Sequence, residues 1–241
     1  MSSFLSGPIT VVAQELHSSS ADQYHNLGAV IFSNDGRAFR YCKAGATALV
    51  AGNLFGSQAE DTGTENMTAV AAAVGDTVIV STTTVTVTAN EYAEGFIMVS
   101  VTPGVGRNYK IKGHIAFTTA APTFNLAEEV KVALTTTSRL DAFANPFKAV
   151  VVWPTDEVAA PAGVAVHPIA IDEFGWLQVA GVGCVEAEGT VTVGLPLVAS
   201  DTDAGTVESI ADGAHELLAT VGTALAGIAD GEFGAVKISL L

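Results

Sequence analysis

The sequence predicts a mainly β protein, with short antiparallel strands in one or two small barrel-like or sandwich-like modules and few short helices. Hydrophobic residues make up 49% of the 241 residues, but aromatic residues contribute only 7%, and 24 glycines interrupt the chain. Short runs of β-branched and aliphatic residues, each closed by glycine or aspartate, favour strands and tight turns over long helices. This length allows one large or two modest β domains.

Residues 1–28 are predicted to form an extended N-terminal arm with a turn of helix, because their polar stretch HSSSADQYHN has little periodicity. The arm's apolar side chains have no evident partner within the segment and are candidates for contacting another surface; they are Phe4, Leu5, Ile9, Val11 and Val12. A frayed terminus, or a first strand of the protein's own domain, is the alternative. The opening residues lack the basic start of a signal peptide, so we expect a soluble compartment.

Residues 29–66 begin the predicted main β domain. A β-hairpin is predicted there, with strands at 29–32 and 37–43 joined by the turn sequence SNDG at 33–36. The small residues of 44–52 (AGATALVAG) indicate the close approach of another backbone. The polar loop 56–66 is the predicted module boundary.

Residues 67–143 are predicted to form an inserted or second β module. Its first strand is the β-branched run 77–88, followed by a capping box at Thr88 and Glu91 that would open a helix of one or two turns before Gly95. Residues 96–101 and 108–115 form a predicted hairpin. Residues 124–134 and 139–143 supply one or two further strands.

Residues 144–241 complete the main β domain. The apolar run 149–153 predicts a strand buried on both faces. The rest of the chain is predicted to be organised around the stretch 175–208. Aliphatic residues occur there at every second position between glycines, which predicts three or four short strands. A short helix near 215–218 and a last strand at 236–240 follow.

Charge is distributed unevenly along the chain. The net charge is −15; residues 37–148 carry nine Lys/Arg and nine Asp/Glu, whereas residues 149–241 carry thirteen acidic residues against Lys237 alone. The strongly acidic region 149–241 repels phosphate backbones, which argues against binding to nucleic acid. The sequence has no apolar run of the roughly 20 residues that span a bilayer, so we expect no membrane partner.

The motifs that could carry chemistry are incomplete. The sequence HELLA at 215–219 begins like a zinc-protease helix, but Ala219 stands where the second histidine must be. Asp201, Asp203 and Gly205 resemble the front of a calcium loop without its remaining ligands, so a plain turn is the better interpretation. We therefore expect no enzymatic activity, no cofactor and no metal.

The two cysteines, Cys42 and Cys184, lie far apart in apolar runs and predict buried free thiols, with a single disulfide as the alternative. Gly104 and Gly106 lack the third glycine of a phosphate-binding loop and predict a hairpin turn instead. The isolated histidines predict ordinary structural or surface roles.

Several short sequence segments, spread over most of the chain, resemble those of a known protein family. They are GRAFRY at 36–41, KAGATALVAG at 43–52, TANEYAEG at 88–95, YKIK at 109–112, ALTT at 133–136, GWLQ at 175–178, GTVTVG at 189–194 and SD at 200–201. Together they resemble the capsid decoration proteins of tailed bacteriophages, also called head-stabilising or cement proteins.

This resemblance implies a mainly β protein that sits as homotrimers on the outer surface of an icosahedral capsid, with the major capsid protein as its partner and no active-site residues. The small-residue stretch 44–52 and the high hydrophobic content also favour a homo-oligomer. The alternatives are another phage structural protein, such as a tail tube or minor head protein, or a receptor- or glycan-binding β protein. A glycan-binding protein needs exposed aromatic residues, and Trp153 and Trp176 both lie in strand-like runs.

The charge pattern predicts how such a protein would face a capsid. Residues 149–241 carry a net charge of −12 and should face solvent rather than packaged DNA. The shell contacts would then come from residues 2–16 of the arm and from parts of the charge-balanced region 37–148.

Overall fold

The computed structural model describes residues 13–83, 85–118, 121–156, 158–210 and 218–241. These residues fall into two compact units. The barrel unit comprises Glu60–Asn145, and the sheet unit comprises residues 13–59 together with Pro146–Leu241. The chain of the sheet unit is thus interrupted by the barrel unit. The arm residues Phe4, Leu5, Ile9, Val11 and Val12 lie outside the described residues, as do residues 215–217 of the short helix predicted near 215–218.

The protein is mainly β, as the sequence predicts, and its described helical segments are two short 3₁₀ turns at Ala13–His17 and Thr62–Thr64. The described strands are β1 (Val30–Phe32), β2 (Ala38–Lys43), β3 (Leu54–Gly56), β4 (Met67–Ala69), β5 (Val78–Thr82), β6 (Thr86–Val87), β7 (Phe96–Val101), β8 (Asn108–His114), β9 (Phe117–Thr118), β10 (Thr123–Leu126), β11 (Arg139–Phe143), β12 (Val151–Val152), β13 (Pro161–Ala165), β14 (Phe174–Glu186), β15 (Pro196–Ala199), β16 (Val207–Ser209), β17 (Thr220–Ala224) and β18 (Phe233–Ser239).

The barrel unit is a closed antiparallel barrel with the strand order β10-β5-β4-β11-β7-β8, and β8 pairs back with β10. Alternate residues of each strand point inward, and closure leaves the barrel without an open sheet edge. The strand residues that fill the interior are Met67, Ala69, Ile79, Ile97, Val99, Tyr109, Ile111, Phe124, Leu126, Leu140 and Ala142. Strands β6 and β9 form a separate two-stranded ladder.

The sheet unit is one curled antiparallel sheet with the order β12-β3-β13-β14-β18-β17-β15-β16. Its central strand, β14, pairs with β2 along Phe174–Ala180 and with β18 along Ala180–Glu186. Strand β1 joins this sheet through β2. The predicted hairpin around the turn 33–36 is confirmed by the pairing of Phe32 with Ala38.

The prediction of only short strands in 175–208 is wrong for its first part, because β14 is 13 residues long. The glycines that suggested turns are close-approach positions inside this strand. A Cβ on Gly175 would lie 2.5 Å from Cδ1 of Ile169, and Gly181 adopts a φ of +87° with the Cα of Arg37 at 2.8 Å from its Cβ position. Val191, predicted as part of another strand, forms only an isolated bridge with Ile228.

Two further strand predictions are too long. The run 77–88 divides into β5 and β6, because β5 pairs with β4 and β10 in the barrel whereas β6 pairs with β9. The run 149–153 yields only β12, which is half-buried because it is the outermost strand of its sheet. Tertiary pairing, rather than β propensity, sets these strand lengths.

The predicted helix after Thr88 is wrong, since residues 89–94 form turns. The backbone N–H of Thr88 does donate to Oε2 of Glu91 at 2.8 Å, as in a capping box. However, Asn90 and Glu94 have φ values of 59° and 64°, which a right-handed helix cannot contain. The capping contact therefore closes a turn that leads into β7.

The prediction of a close backbone contact within 44–52 is confirmed at Gly45. Its N–H donates to the carbonyl oxygen of Val150 at 2.8 Å, and a Cβ on Gly45 would lie 3.0 Å from the carbonyl oxygen of Ala149. The neighbouring Ala44 is fully buried beside Val150. Small residues at this point let two backbone segments of the sheet unit meet.

Candidate interaction surface

The outer face of the barrel on β11, β7 and β8 combines exposed apolar and cationic side chains. Inward residues of these strands fill the core, so the intervening residues point outward. We call the outward set, together with Arg107 at the start of β8, the β7 face; it consists of Phe96, Met98, Val101, Arg107, Asn108, Lys110, Lys112, Arg139, Asp141 and Phe143.

Strand register places these side chains in cross-strand rows. Phe96 of β7 lies directly opposite Phe143 of β11 on one side and Lys110 of β8 on the other. In the next row Met98 lies between Asp141 and Asn108. Directly opposed residues of an antiparallel pair share one face, so the apolar side chains of Phe143, Phe96 and Met98 form a strip on β11 and β7. Val101 lies further along β7, and the neighbouring positions of β8 are polar.

The strip is accessible at its centre and at one end. Met98 is 38% exposed and Val101 is 43% exposed, although both belong to a strand whose alternate residues, Ile97 and Val99, are buried. Phe96 and Phe143 are half-buried at the other end. The face thus offers apolar area to a partner without loss of the barrel core.

Cations lie around this strip. Arg139 pairs in register with Val101, and Arg107 accepts a hydrogen bond at its carbonyl oxygen from the N–H of Val99, which places both at one end of β7. Lys110 and Lys112 lie toward the other end. Arg107, Lys110 and Lys112 form no salt bridge with any described residue, whereas Lys131 elsewhere on the barrel pairs with Glu129 at 3.2 Å.

The acidic side chains next to the face are partly engaged by backbone groups. Oδ1 of Asp141 accepts the backbone N–H of Asn66 at 2.5 Å, and Oε1 of Glu128 accepts the backbone N–H of Lys110 at 3.3 Å. Four of the five Lys and Arg residues in 60–145 belong to the β7 face, against the single acid Asp141. The face is therefore locally cationic in a strongly acidic chain.

A polar network that includes the buried side chains of Tyr92 and Thr64 lies next to β11. The phenol of Tyr92 donates to Oδ2 of Asp61 at 2.8 Å and lies 3.1 Å from Oγ1 of Thr64, which donates to the carbonyl oxygen of Ala142 at 3.0 Å. Burial is the largest cause that raises the pKa of Tyr92; the Asp61 carboxylate adds to it, and the Thr64 contact opposes it. The network ties the loop before β4 to β11.

The sheet unit contains a groove of about 610 Å³ whose lining includes Gln178, Val182, Cys184 and Phe233. Gln178 is buried, and its Nε2 donates to the carbonyl oxygens of Ala180 at 3.1 Å and Val182 at 2.9 Å. These two bonds hold the backbone on either side of Gly181, whose φ is +87°. The side chain is thus a structural element of the groove floor.

The cysteine prediction is right in part. Cys42 and Cys184 are both free, and Cys42 is fully buried, where burial raises the pKa of its thiol. Cys184 is exposed at the groove, which corrects the expectation that both thiols are buried. Its side chain points to the open face of β14, because the inward positions on either side are taken by Gly183 and Val185.

The predicted turn at Asp201–Gly205 is present. Oγ of Ser200 accepts the backbone N–H groups of Thr202 at 3.1 Å and Asp203 at 2.9 Å, so the turn is closed by the serine and both aspartates remain exposed. The described residues contain no group of three or more His, Cys, Asp or Glu that could hold a metal ion.

Gly104 and Gly106 lie in the β7–β8 hairpin with φ values of 92° and 79°.

Sequence reasoning predicted the hairpin of β7 and β8 but did not identify its outer face. The usable signal was the alternation of Lys110 and Lys112 with the core residues Tyr109 and Ile111.

Trp153 and Trp176 are 3% and 2% exposed, so neither tryptophan is part of a surface.

Comparisons of the chain with protein-family models, with curated proteins and with solved structures find no match. Over the described parts of the chain, none of the helical segments has the length and apolar character needed to cross a membrane.

Proposed function

We propose that this protein is a non-catalytic structural protein of a virion, which binds the outer surface of an icosahedral phage capsid and stabilises it. The observation that supports a role in assembly is the β7 face, an apolar strip with cationic surroundings on a closed barrel, which marks the chain as one that forms protein–protein contacts. An exposed apolar patch of this kind is typical of protein–protein contact.

The short sequence segments that resemble decoration proteins also support a structural role. GRAFRY, YKIK and GWLQ contribute core residues, since Phe39, Tyr109 and Trp176 are all buried. The resemblance to decoration proteins therefore concerns framework positions of both units. Function would then reside in the surfaces that this framework presents.

The partners in this proposal are the major capsid protein and further copies of the chain, most simply as a homotrimer. The apolar arm residues Phe4, Leu5, Ile9, Val11 and Val12 are the candidates for shell contact. The acidic residues 149–241 lie away from the capsid interior, because a net charge of −12 next to packaged DNA is electrostatically unfavourable. Binding to the assembled shell stabilises it by mass action, without chemistry.

The test uses undecorated, expanded capsids of the same virus. Purified protein should co-sediment with them, appear as density on the outer surface in electron micrographs, and raise the temperature at which the shells disrupt. Deletion of residues 2–16 should abolish co-sedimentation while the circular dichroism spectrum stays that of a folded β protein. Wild-type protein that neither co-sediments nor changes shell stability contradicts the proposal.

A further inference from the structure

The β7 face and the rest of the chain have opposite charge. Of the ten Lys and Arg residues in the whole sequence, four lie on this face, while residues 149–241 carry thirteen acidic residues and Lys237 as their one Lys or Arg residue. None of the four face cations makes a salt bridge with a described residue. A surface of this kind is electrostatically complementary to the acidic part of another copy of the same chain.

The apolar strip adds contact area that charges alone do not provide. Protein interfaces combine an apolar centre with a polar rim and are enriched in Met, Phe and Arg. The β7 face has this arrangement, with Met98 and Phe96 at its centre and Arg139, Lys110 and Lys112 around it. The acidic part also exposes apolar side chains, since Val193 is 59% exposed and Phe233 is 50% exposed.

We propose that the β7 face binds the acidic surface of the sheet unit that the described residues 158–210 and 218–241 form, on a second copy of this chain. The contact is heterologous, because the two surfaces differ, and repetition around an axis closes a ring such as a trimer. Nucleic acid fits this face poorly, since the net charge of −15 opposes its approach and an apolar strip gains nothing from a phosphate backbone. The inference does not depend on capsid binding.

Salt dependence gives the first test. Self-association of the wild-type chain, followed by sedimentation velocity, should weaken by about tenfold between low ionic strength and 0.5 M NaCl, because rim charges are screened over this range. The variant Lys110→Glu/Lys112→Glu should be monomeric at concentrations where the wild type associates. Lys131→Glu is the control on the same barrel, since Lys131 already pairs with Glu129, and it should associate like the wild type.

A second test needs no variant. Equal amounts of unlabelled and ¹⁵N-labelled wild-type chain are mixed and treated with a carbodiimide, which joins an amine to a carboxylate in direct contact. Mixed-isotope cross-links should connect Lys110 or Lys112 with acidic residues of 149–241. Mixed cross-links confined to residues 60–145, a monomeric wild type, or unchanged association of the double variant would each overturn the proposal.

Discussion

Nε2 of His114 accepts the backbone N–H of Tyr92 at 2.9 Å inside the barrel, and Nδ1 lies 3.0 Å from the carbonyl oxygen of Ile115. The acceptor role of Nε2 assigns the proton to Nδ1, so both ring nitrogens hold backbone groups of segments next to β8. His114 is only 3% exposed. The histidine is thus a structural bridge within the barrel.

Replacement His114→Phe should lower the free energy of unfolding by about 1–3 kcal/mol, because the N–H of Tyr92 loses its acceptor in a buried site. Urea denaturation measures this change. Ile115→Ser is the control, since Ile115 is 72% exposed, and it should change stability by less than about 0.5 kcal/mol. Equal stability of the two variants would show that the bridge contributes nothing.

Removal of the Tyr92 hydroxyl should also destabilise the barrel. Tyr92→Phe deletes the donor to Asp61 and should cost about 1–2 kcal/mol. The pKa of Tyr92 is raised in the folded protein, so its contribution is complete below the unfolded value of about 10 and declines as pH rises above it. The difference in thermal midpoint between wild type and variant should therefore shrink above about pH 10. A constant difference up to pH 11 would contradict this assignment.

The two cysteines should differ sharply in reactivity. Cys184 is exposed, whereas Cys42 is buried and its thiol pKa is raised, so a thiol reagent should modify one thiol per folded chain at pH 8. The second thiol should react only after addition of denaturant. Cys184→Ser should reduce labelling of the folded chain to near zero. Two rapidly labelled thiols in the folded wild type would show that Cys42 is accessible.

Gly222 in β17 is expected to tolerate no side chain. A Cβ at this position would lie 2.1 Å from the carbonyl oxygen of Lys237 in the adjacent β18, so the strand pair must separate. Gly222→Ala should cost about 1–3 kcal/mol, as overpacking does. Gly227→Ala is the matched control, since its nearest atom, the carbonyl oxygen of Val191, is 3.7 Å away. Thermal denaturation of both variants compares them directly.

The turn at Asp201–Gly205 should be independent of metal. Chelation should leave the thermal midpoint of the wild type and of Asp203→Ala unchanged, because Asp203 bonds within the turn through its backbone N–H and carbonyl oxygen. Ser200→Ala should cost about 1 kcal/mol, since its Oγ accepts two backbone N–H groups. A fall in stability on chelation of the wild-type protein would instead support a calcium site.

Sequence patterns predicted those elements whose pairing is local. The β1–β2 hairpin and the β7–β8 hairpin follow from turn residues between strand-like runs, and both occur at nearly the predicted positions. The run 77–88 shows the limit, because its two halves pair with different strands and nothing in a β-branched run marks where that change occurs. Strand length there depends on contacts distant in sequence.

The candidate surface could be predicted only in part. Alternation along β8 shows that Lys110 and Lys112 point away from Tyr109 and Ile111. The apolar strip depends on the pairing of Phe143 with Phe96, which brings β11 beside β7 across a long intervening segment. Local periodicity cannot supply that neighbour. The prediction that the glycines of β14 mark turns was wrong for a related reason. Glycine is favoured both in tight turns and where two segments approach closely, so the sequence does not distinguish the two cases.

The pairing of Gly56 with Val151 has a consequence for how this chain can be altered. These residues flank the segment that builds the barrel, and as register partners on β3 and β12 they lie side by side within the sheet unit. A connection between adjacent antiparallel strands needs only a tight turn. The β3–β12 pair is therefore a natural graft point, at which a barrel can be exchanged for a different module or for a hairpin turn while the strands on both sides keep their partners.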